Sequence, residues 1–359
     1  MDSTATSSLS MMRPVPRRPR PRPRLVPAVP RLSVVVVNYL QWQDTASLVR
    51  QLRATPALRH GAAEVVIVDN DSPWNALIPQ LRQVPGVSLR RWRNNRGFAR
   101  AVNEGVRLSR GDWVLLLNPD MSLEPGFLDK ALARAEELAR TDVHTGIIGF
   151  GLRDADGGRQ RSAGPFPTLA SSLARLLLPR RWRKYYLRST EQCRPVDWVT
   201  GCCLMVRRTC WENLGGLDGD FFLYYVDVDL CRRARERGWT VWHDPQLCAT
   251  HHHPLHARTL PVHLRLITRH ALLTYARKHW PAAQVRILAG IIRFEAWLRQ
   301  CQAWRRGNDV HAGLFDNLGR MVGDFARGRV SAAGRRLLRV VRRREEWRAS
   351  LSVHRDTQP

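Results

Sequence analysis

The sequence predicts an α/β fold built on a doubly wound, mainly parallel sheet, and three apolar runs carry that expectation. Residues 33–37 (SVVVV), 64–69 (EVVIVD) and 112–118 (DWVLLLN) are close to continuously apolar and rich in β-branched or leucine side chains. Strands of this kind are buried on both faces, as happens when helices cover both sides of a parallel sheet. Segments with helical spacing separate the runs, and the alternation β-α-β-α-β implies crossover connections.

Taken in order, the first helix is expected over residues 44–53 (DTASLVRQLR), with Asp44 at its N-cap, and the next over 97–109 (GFARAVNEGVRLS). Residues 198–208 (WVTGCCLMVRR) read as a further strand, and 239–253 as a short strand running into a loop. From about 258 the pattern turns helical. Residues 264–280 and 284–301 form amphipathic stretches with Pro281 between them, and 335–348 also reads as helix. Ahead of the first strand, proline at nearly every second position of 14–23 excludes helix and ladder alike. This basic tail is either an electrostatic tether or a solvated extension. The chain therefore divides into a disordered Arg/Pro tail (1–31), an α/β domain (32–257) and a basic helical region (258–359).

Charge narrows the partners. Lys and Arg number 58 against 31 Asp and Glu, a net +27, so phosphates, anionic lipid headgroups or nucleic acid are attracted. Residues 260–359 alone hold 20 basic and 7 acidic side chains. The strand ends instead hold carboxylates, which repel nucleic-acid phosphates unless a cation intervenes, and no specific nucleic acid is expected. Seven cysteines without a C-x-x-C pair read as reduced thiols, not as a disulfide framework or zinc site. No apolar leader follows Met1, and no stretch reaches the ~18 apolar residues of a membrane span. A cytoplasmic protein is expected. Absence of G-x-G-x-x-G and of a phosphate-loop lysine signature argues against NAD and ATP chemistry.

In an open α/β sheet, ligands bind beyond the carboxyl ends of the strands. Here those ends are Asn38 and Tyr39, then Asp69, Asn70, Asp71 and Ser72, then Asn118, Pro119 and Asp120. Each group alone reads equally well as turn chemistry. Together they outline a nucleotide or metal pocket.

Seven segments then resemble, in order, glycosyltransferase family 2, and specifically its bacterial dTDP-rhamnosyltransferases: VVVVNY, VVIVDNDS, NNRGFARAVNEG, DWVLLLNPDMSLEPGFL, VDWVTGCCLMVRR, GGLDGDFFLYYVDVDLCRRARERGW and ATHHH. The likeness covers roughly residues 32–280 and implies a GT-A fold, an inverting sugar transfer and a Mg²⁺ or Mn²⁺ cofactor. The implied donor is a dTDP- or UDP-sugar, and the implied acceptor a saccharide or polyprenyl-linked sugar of the cell envelope. On the matching positions, Asp69 is implied to bind the pyrimidine, beside Asn38, Tyr39 and Asn70. Arg96, Gly97 and Arg100 at a helix start are implied to meet the diphosphate, unless the arginines are merely solvated. Asn118 and Asp120 stand where other GT-A enzymes carry Asp-x-Asp, with Asp120 and His251 near the metal. His252 and His253 are read as loop residues.

Asp227 stands at the position of the general base, and Asp218, Trp198, Gly201 and Asp229 on the acceptor side. Asp227 and Asp229 equally suit the cap of the following helix. One departure is plain: relatives carry Glu before this aspartate, and here the residue is Val226. The basic helices suggest peripheral contact with an anionic inner membrane face, or simple packing on the α/β domain.

Overall fold

The computed structural model describes residues 29–177, 192–253 and 262–355. The proline-rich tail up to residue 28, and His256, lie outside these. The chain begins β1 (Leu32–Asn38), α1 (Trp42–Arg53), α2 (Pro56–Arg59), β2 (Ala63–Asn70), α3 (Leu77–Arg82), β3 (Val87–Trp92), α4 (Phe98–Leu108) and β4 (Trp113–Leu117). It continues with β5 (Met121–Leu123), α5 (Phe127–Thr141), β6 (Thr145–Arg153), β7 (Arg159–Gln160), β8 (Ala163–Gly164) and α6 (Leu169–Leu177). Then come β9 (Arg194–Pro195), β10 (Trp198–Val199), β11 (Cys203–Arg207), α7 (Arg208–Leu214), α8 (Val226–Glu236) and β12 (Thr240–His251). Four helices close the chain: α9 (Val262–His279), α10 (Ala282–Arg305), α11 (Asp309–Ala326) and α12 (Val330–Arg355).

The sheet runs β3-β2-β1-β4-β11-β6-β12-β5. Parallel pairing puts Asn38 opposite Asp69 and Val36 opposite Leu117, so the carboxyl ends of β1, β2 and β4 lie on one edge. Antiparallel β11 sits between β4 and β6 and returns the chain to that edge at its amino end, where Cys203 faces Leu117. Side chains alternate across the pleat. Val34, Val36, Ile67 and Leu115 pack under α1, α2, α3 and α5. Val35, Val37, Val68 and Leu116 pack under α4, α7 and α8. Helices on both faces explain why the three runs are apolar throughout. A third cluster, with Leu273, Leu288, Ile292, Phe315 and Met321, joins α9 to α12.

Three expectations need correction. α1 starts at Trp42 with Gln41 at its cap, because the Asn38 side chain accepts from Gln41 N and Thr45 Oγ1; Asp44 falls inside the first turn. The run 198–208 is broken at Thr200–Cys202, where Gly201 N donates to the Asp227 carboxylate at 2.8 Å. Residues 240–251 form one long strand instead of a strand and loop, with a bulge between Asp244 and Cys248 that absorbs Pro245.

Candidate active site

At the carboxyl edge the structure opens a cleft of about 660 Å³. Tyr39, Asn70, Asn118, Asp120, Gly201, Asp227 and His251 all line it. The sequence brings them there from six different segments.

Beneath the wall lies a polar brace. Asn38 and Asp69 are fully buried. The Asn38 amide donates to Asp69 Oδ1 at 2.8 Å and to Ser72 Oγ at 3.0 Å, while Arg91 Nε donates to Asp69 Oδ2 at 2.9 Å. Burying a carboxylate is tolerable only when it is paired and hydrogen-bonded, as here. The pair therefore stands behind Tyr39 and Asn70 instead of facing the cleft. Leu40 and Asp71, the residues that turn the chain out of β1 and β2, both take left-handed φ (60° and 78°).

The start of α4 departs from the expected anion cradle. Its N–H groups are already used: Arg96 N donates to Asn70 Oδ1, Gly97 N to Asn95 Oδ1 and Phe98 N to Phe222 O. Gly97 has φ 87°, and a Cβ there would come 2.8 Å from Phe222 O, so the sharp turn admits only glycine. The Arg96 guanidinium lies over the Trp92 ring at 4.7 Å, and Arg100 packs beside Gly219. Neither arginine is on the cleft wall. The N–H groups of Arg96, Gly97 and Phe98 are therefore engaged within the protein.

Asp120 and His251 meet on the cleft wall. They come from the turn after β4 and the end of β12, with Asp120 Oδ1 at 3.4 Å from His251 Nε2. The Gln160 amide sits 3.1 Å from His251 Nδ1 and orients the ring. Burial pushes the Asp120 carboxyl pKa up, but the hydrogen bond and charge of His251, with a smaller contribution from His253, hold it below the usual value. Among the described residues no cluster of three or more His, Cys, Asp or Glu could enclose a metal. One carboxylate and one imidazole on an open wall nevertheless fit a hard cation whose remaining ligands are phosphate oxygens and water.

Asp227 lines the same cleft, in the first turn of α8. Gly201 N donates to Oδ2 at 2.8 Å and Val228 N to Oδ1 at 2.9 Å. Burial raises its pKa, and these backbone bonds offset the rise only in part. Tyr224 and Tyr225, which lead into the helix, have φ of 68° and 60°. Two successive left-handed tyrosines cost roughly 1–3 kcal/mol each, a strain kept where the surroundings over-determine it. Tyr225 leans on Tyr275 of α9, with ring centroids 5.6 Å apart. Val226, where Glu was expected, is buried in the core under the sheet and leaves Asp227 the lone carboxylate at that point.

Three acceptor-side candidates lie elsewhere. Asp229 is fully buried and bonded by Arg233 Nε at 2.8 Å, Lys278 Nζ at 2.7 Å and His279 Nε2 at 2.8 Å. Burial alone would raise its pKa; the His279 hydrogen bond and the charges of Arg233 and Lys278 bring it down to about 2. Its oxygens are spent on joining α8 to α9. Asp218 pairs with the same Lys278. Trp198 donates Nε1 to Pro165 O at 2.8 Å and packs on Gly164, so it props the strand pair behind the cleft. Conversely, Gln160, Tyr224 and His253 line the cleft without having been singled out. His253 was read as a loop residue, and its position on the wall follows from β12 running on to His251. No periodicity marks Gln160, which sits in a hairpin of arginines and glycines.

With this geometry in hand, comparison with known proteins is informative. The family described as Glycosyl transferase family 2 matches residues 33–215. An N-acetylglucosaminyl-diphospho-decaprenol L-rhamnosyltransferase of Mycobacterium tuberculosis is 30% identical over 241 residues, covering 62% of this chain and 76% of that one. Rhamnosyltransferase WbbL of Escherichia coli is 26% identical over 159 residues, 44% of this chain and 59% of its own. A mannosyltransferase structure from Pyrobaculum calidifontis, in complex with GDP-Man and Mn²⁺, is 18% identical, covers 83% of this chain and 75% of its own, and superposes with a TM-score of 0.48.

Proposed function

Because this chain belongs to glycosyl transferase family 2, we propose that it is an inverting, divalent-metal-dependent transferase that moves rhamnose or another deoxyhexose from a nucleoside-diphosphate donor to a saccharide or lipid-linked acceptor of the cell envelope. One observation carries the reading. Two aspartates lining one cleft have their pKa values driven apart, Asp120 down and Asp227 up. Such divergence is how a site assigns one carboxylate to charge stabilisation and another to proton transfer.

In this scheme Asp227 takes the proton of the acceptor hydroxyl as its oxygen bonds to the anomeric carbon, and the bond from that carbon to the donor phosphate breaks on the opposite face. The two backbone N–H bonds fix the Asp227 carboxylate and leave it outer lone pairs for the hydroxyl. Asp120 and His251 are the residues that would hold Mg²⁺ or Mn²⁺, which supplies charge neutralisation for the departing diphosphate. Tyr39, Asn70 and Asn118 form the donor end, over the Asn38–Asp69 brace. The rhamnosyltransferase relatives support rhamnose as the sugar, and the donor we propose for it is dTDP-rhamnose. A UDP-sugar such as galactofuranose or glucose is the other donor the same carboxylate-and-amide end suits.

Contact with a membrane surface is supported by α10. One face buries Leu288, Ile292, Ala296 and Ala303, while the other exposes Ile287 (50%), Phe294 (59%), Trp297 (55%) and Trp304 (57%). Arg286, Arg293 and Arg305 sit on the same helix. Aromatic side chains with flanking arginines suit an anionic interface. No helix among the described residues is long and apolar enough to cross a membrane.

The test is release of nucleoside diphosphate from a panel of dTDP- and UDP-sugars with Mn²⁺. Turnover of dTDP-rhamnose that disappears with chelation and in Asp120→Ala is the expected result. Turnover that survives both removes the metal from the reading.

A further inference from the structure

A second cavity, of about 400 Å³, opens beside the cleft. Arg153, Arg159, Arg161 and Arg194 line it. Its acidic lining residue, Asp197, is already spent: Oδ2 accepts from Phe166 N at 3.1 Å and Oδ1 pairs with Arg235. His243 contributes no charge near neutral pH, because burial lowers its pKa; its Nε2 lies 2.8 Å from Ser162 Oγ.

The strand register brings these cations together. In the β6–β7 ladder Arg153 stands directly opposite Arg159, and like charges so placed destabilise a strand pair. Arg194, on β9, is aligned with His243 of β12, the strand on the other side of β6. Guanidinium forks bind phosphate oxygens in pairs, so several of them suit a ligand with more than one phosphate.

The cavity is also joined to the base. Gln160, between Arg159 and Arg161, lines both cavity and cleft. Ser162 O accepts Thr200 N at 2.8 Å, and the next residue, Gly201, donates to Asp227. Through Ser162 the arginines stand beside the strand break that holds Asp227, and through Gln160 they also adjoin His251.

We propose that this arginine cavity holds the diphosphate of a lipid-linked acceptor while the acceptor sugar reaches Asp227, an inference that rests on the acceptor reading above. The site needs no divalent ion, in contrast to the donor end. In EDTA, calorimetric titration of the full-length protein with inorganic pyrophosphate should show binding that Asp120→Asn keeps. The Arg153→Gln/Arg159→Gln pair should weaken it by roughly tenfold or more, as expected for lost charged hydrogen bonds. Arg194→Gln, on a separate strand, should weaken it too and guards against a folding defect in the pair. Unchanged affinity in both arginine variants overturns the proposal. Farnesyl diphosphate should displace the pyrophosphate; failure to displace it leaves a free-anion site and overturns the lipid-linked ligand. Metal-dependent hydrolysis of dTDP-rhamnose without acceptor should be the same in the arginine variants and the parent. Its absence from the parent would instead bring down the donor reading, independently of pyrophosphate binding.

Discussion

Asp227 and Asp229 are two residues apart in the first turn of one helix and lead opposite lives. Asp227 looks into the cleft, bonded by neutral groups, the backbone N–H of Gly201 and Val228 and the Thr200 hydroxyl, and its pKa rises. Asp229 looks toward α9, gripped by Arg233, Lys278 and His279, and its pKa falls to about 2. Helix position is shared; Asp227 is half-buried where Asp229 is fully buried, and the partners differ. A carboxylate buried without a countercharge is held ready for a proton, whereas one buried among cations serves as a joint.

The largest effect should come from breaking the reactive member. Asp227→Asn should lower kcat about 10²–10⁴-fold, the usual contribution of a positioned base. Its thermal midpoint should not fall, since a buried carboxylate with a raised pKa opposes folding at neutral pH. Donor binding by calorimetry should persist. A variant with full turnover reassigns the base.

Breaking the joint should do the reverse. Asp229→Asn strands Lys278, Arg233 and the buried His279, and should cost about 3–5 kcal/mol in a urea titration. Residual activity per folded molecule should stay near that of the parent. Loss of turnover at unchanged stability would move Asp229 into the chemistry.

Acid sharpens the contrast next. The Asp229 group, with its folded pKa depressed to about 2, contributes stability that is whole above the unfolded value and is lost as pH falls from about 4 toward 2. That contribution is about 2 kcal/mol. Activity should fail earlier, as pH drops through the raised pKa of Asp227, while the fold is intact. Coincident loss of structure and turnover would erase the distinction. The smallest effect concerns Thr200, whose hydroxyl lowers the Asp227 pKa by hydrogen bonding. In Thr200→Val the acidic limb of the kcat/KM profile should move to higher pH; movement downward would contradict the assignment.

The same contrast shows what could be read from the chain. β1, β2 and β4 declare themselves because both their faces are buried, and the Asn-Pro-Asp turn follows directly from the last. β3 does not, because it is an edge strand whose side chains alternate between half-buried and exposed, with Arg90 and Arg91 among them. β6 is masked by its glycines: a Cβ on Gly149 would lie 2.4 Å from Val199, so the residue is dictated by a neighbour from fifty positions away. The interruption at Gly201, the capped start of α4 and the cation cage of Asp229 are likewise long-range facts. Local pattern names the carboxylates; only tertiary contacts say which of them face the ligand.

The account stands most directly on calorimetric titration of dTDP into the full-length protein, with Mn²⁺ and then with EDTA. Binding should be at least about tenfold weaker without the metal, a difference of some 1.4 kcal/mol, and equally weak in Asp120→Ala with Mn²⁺ present. Equal affinity in Mn²⁺ and in EDTA, or an Asp120→Ala curve that overlays the parent, would contradict a cation held between Asp120 and His251.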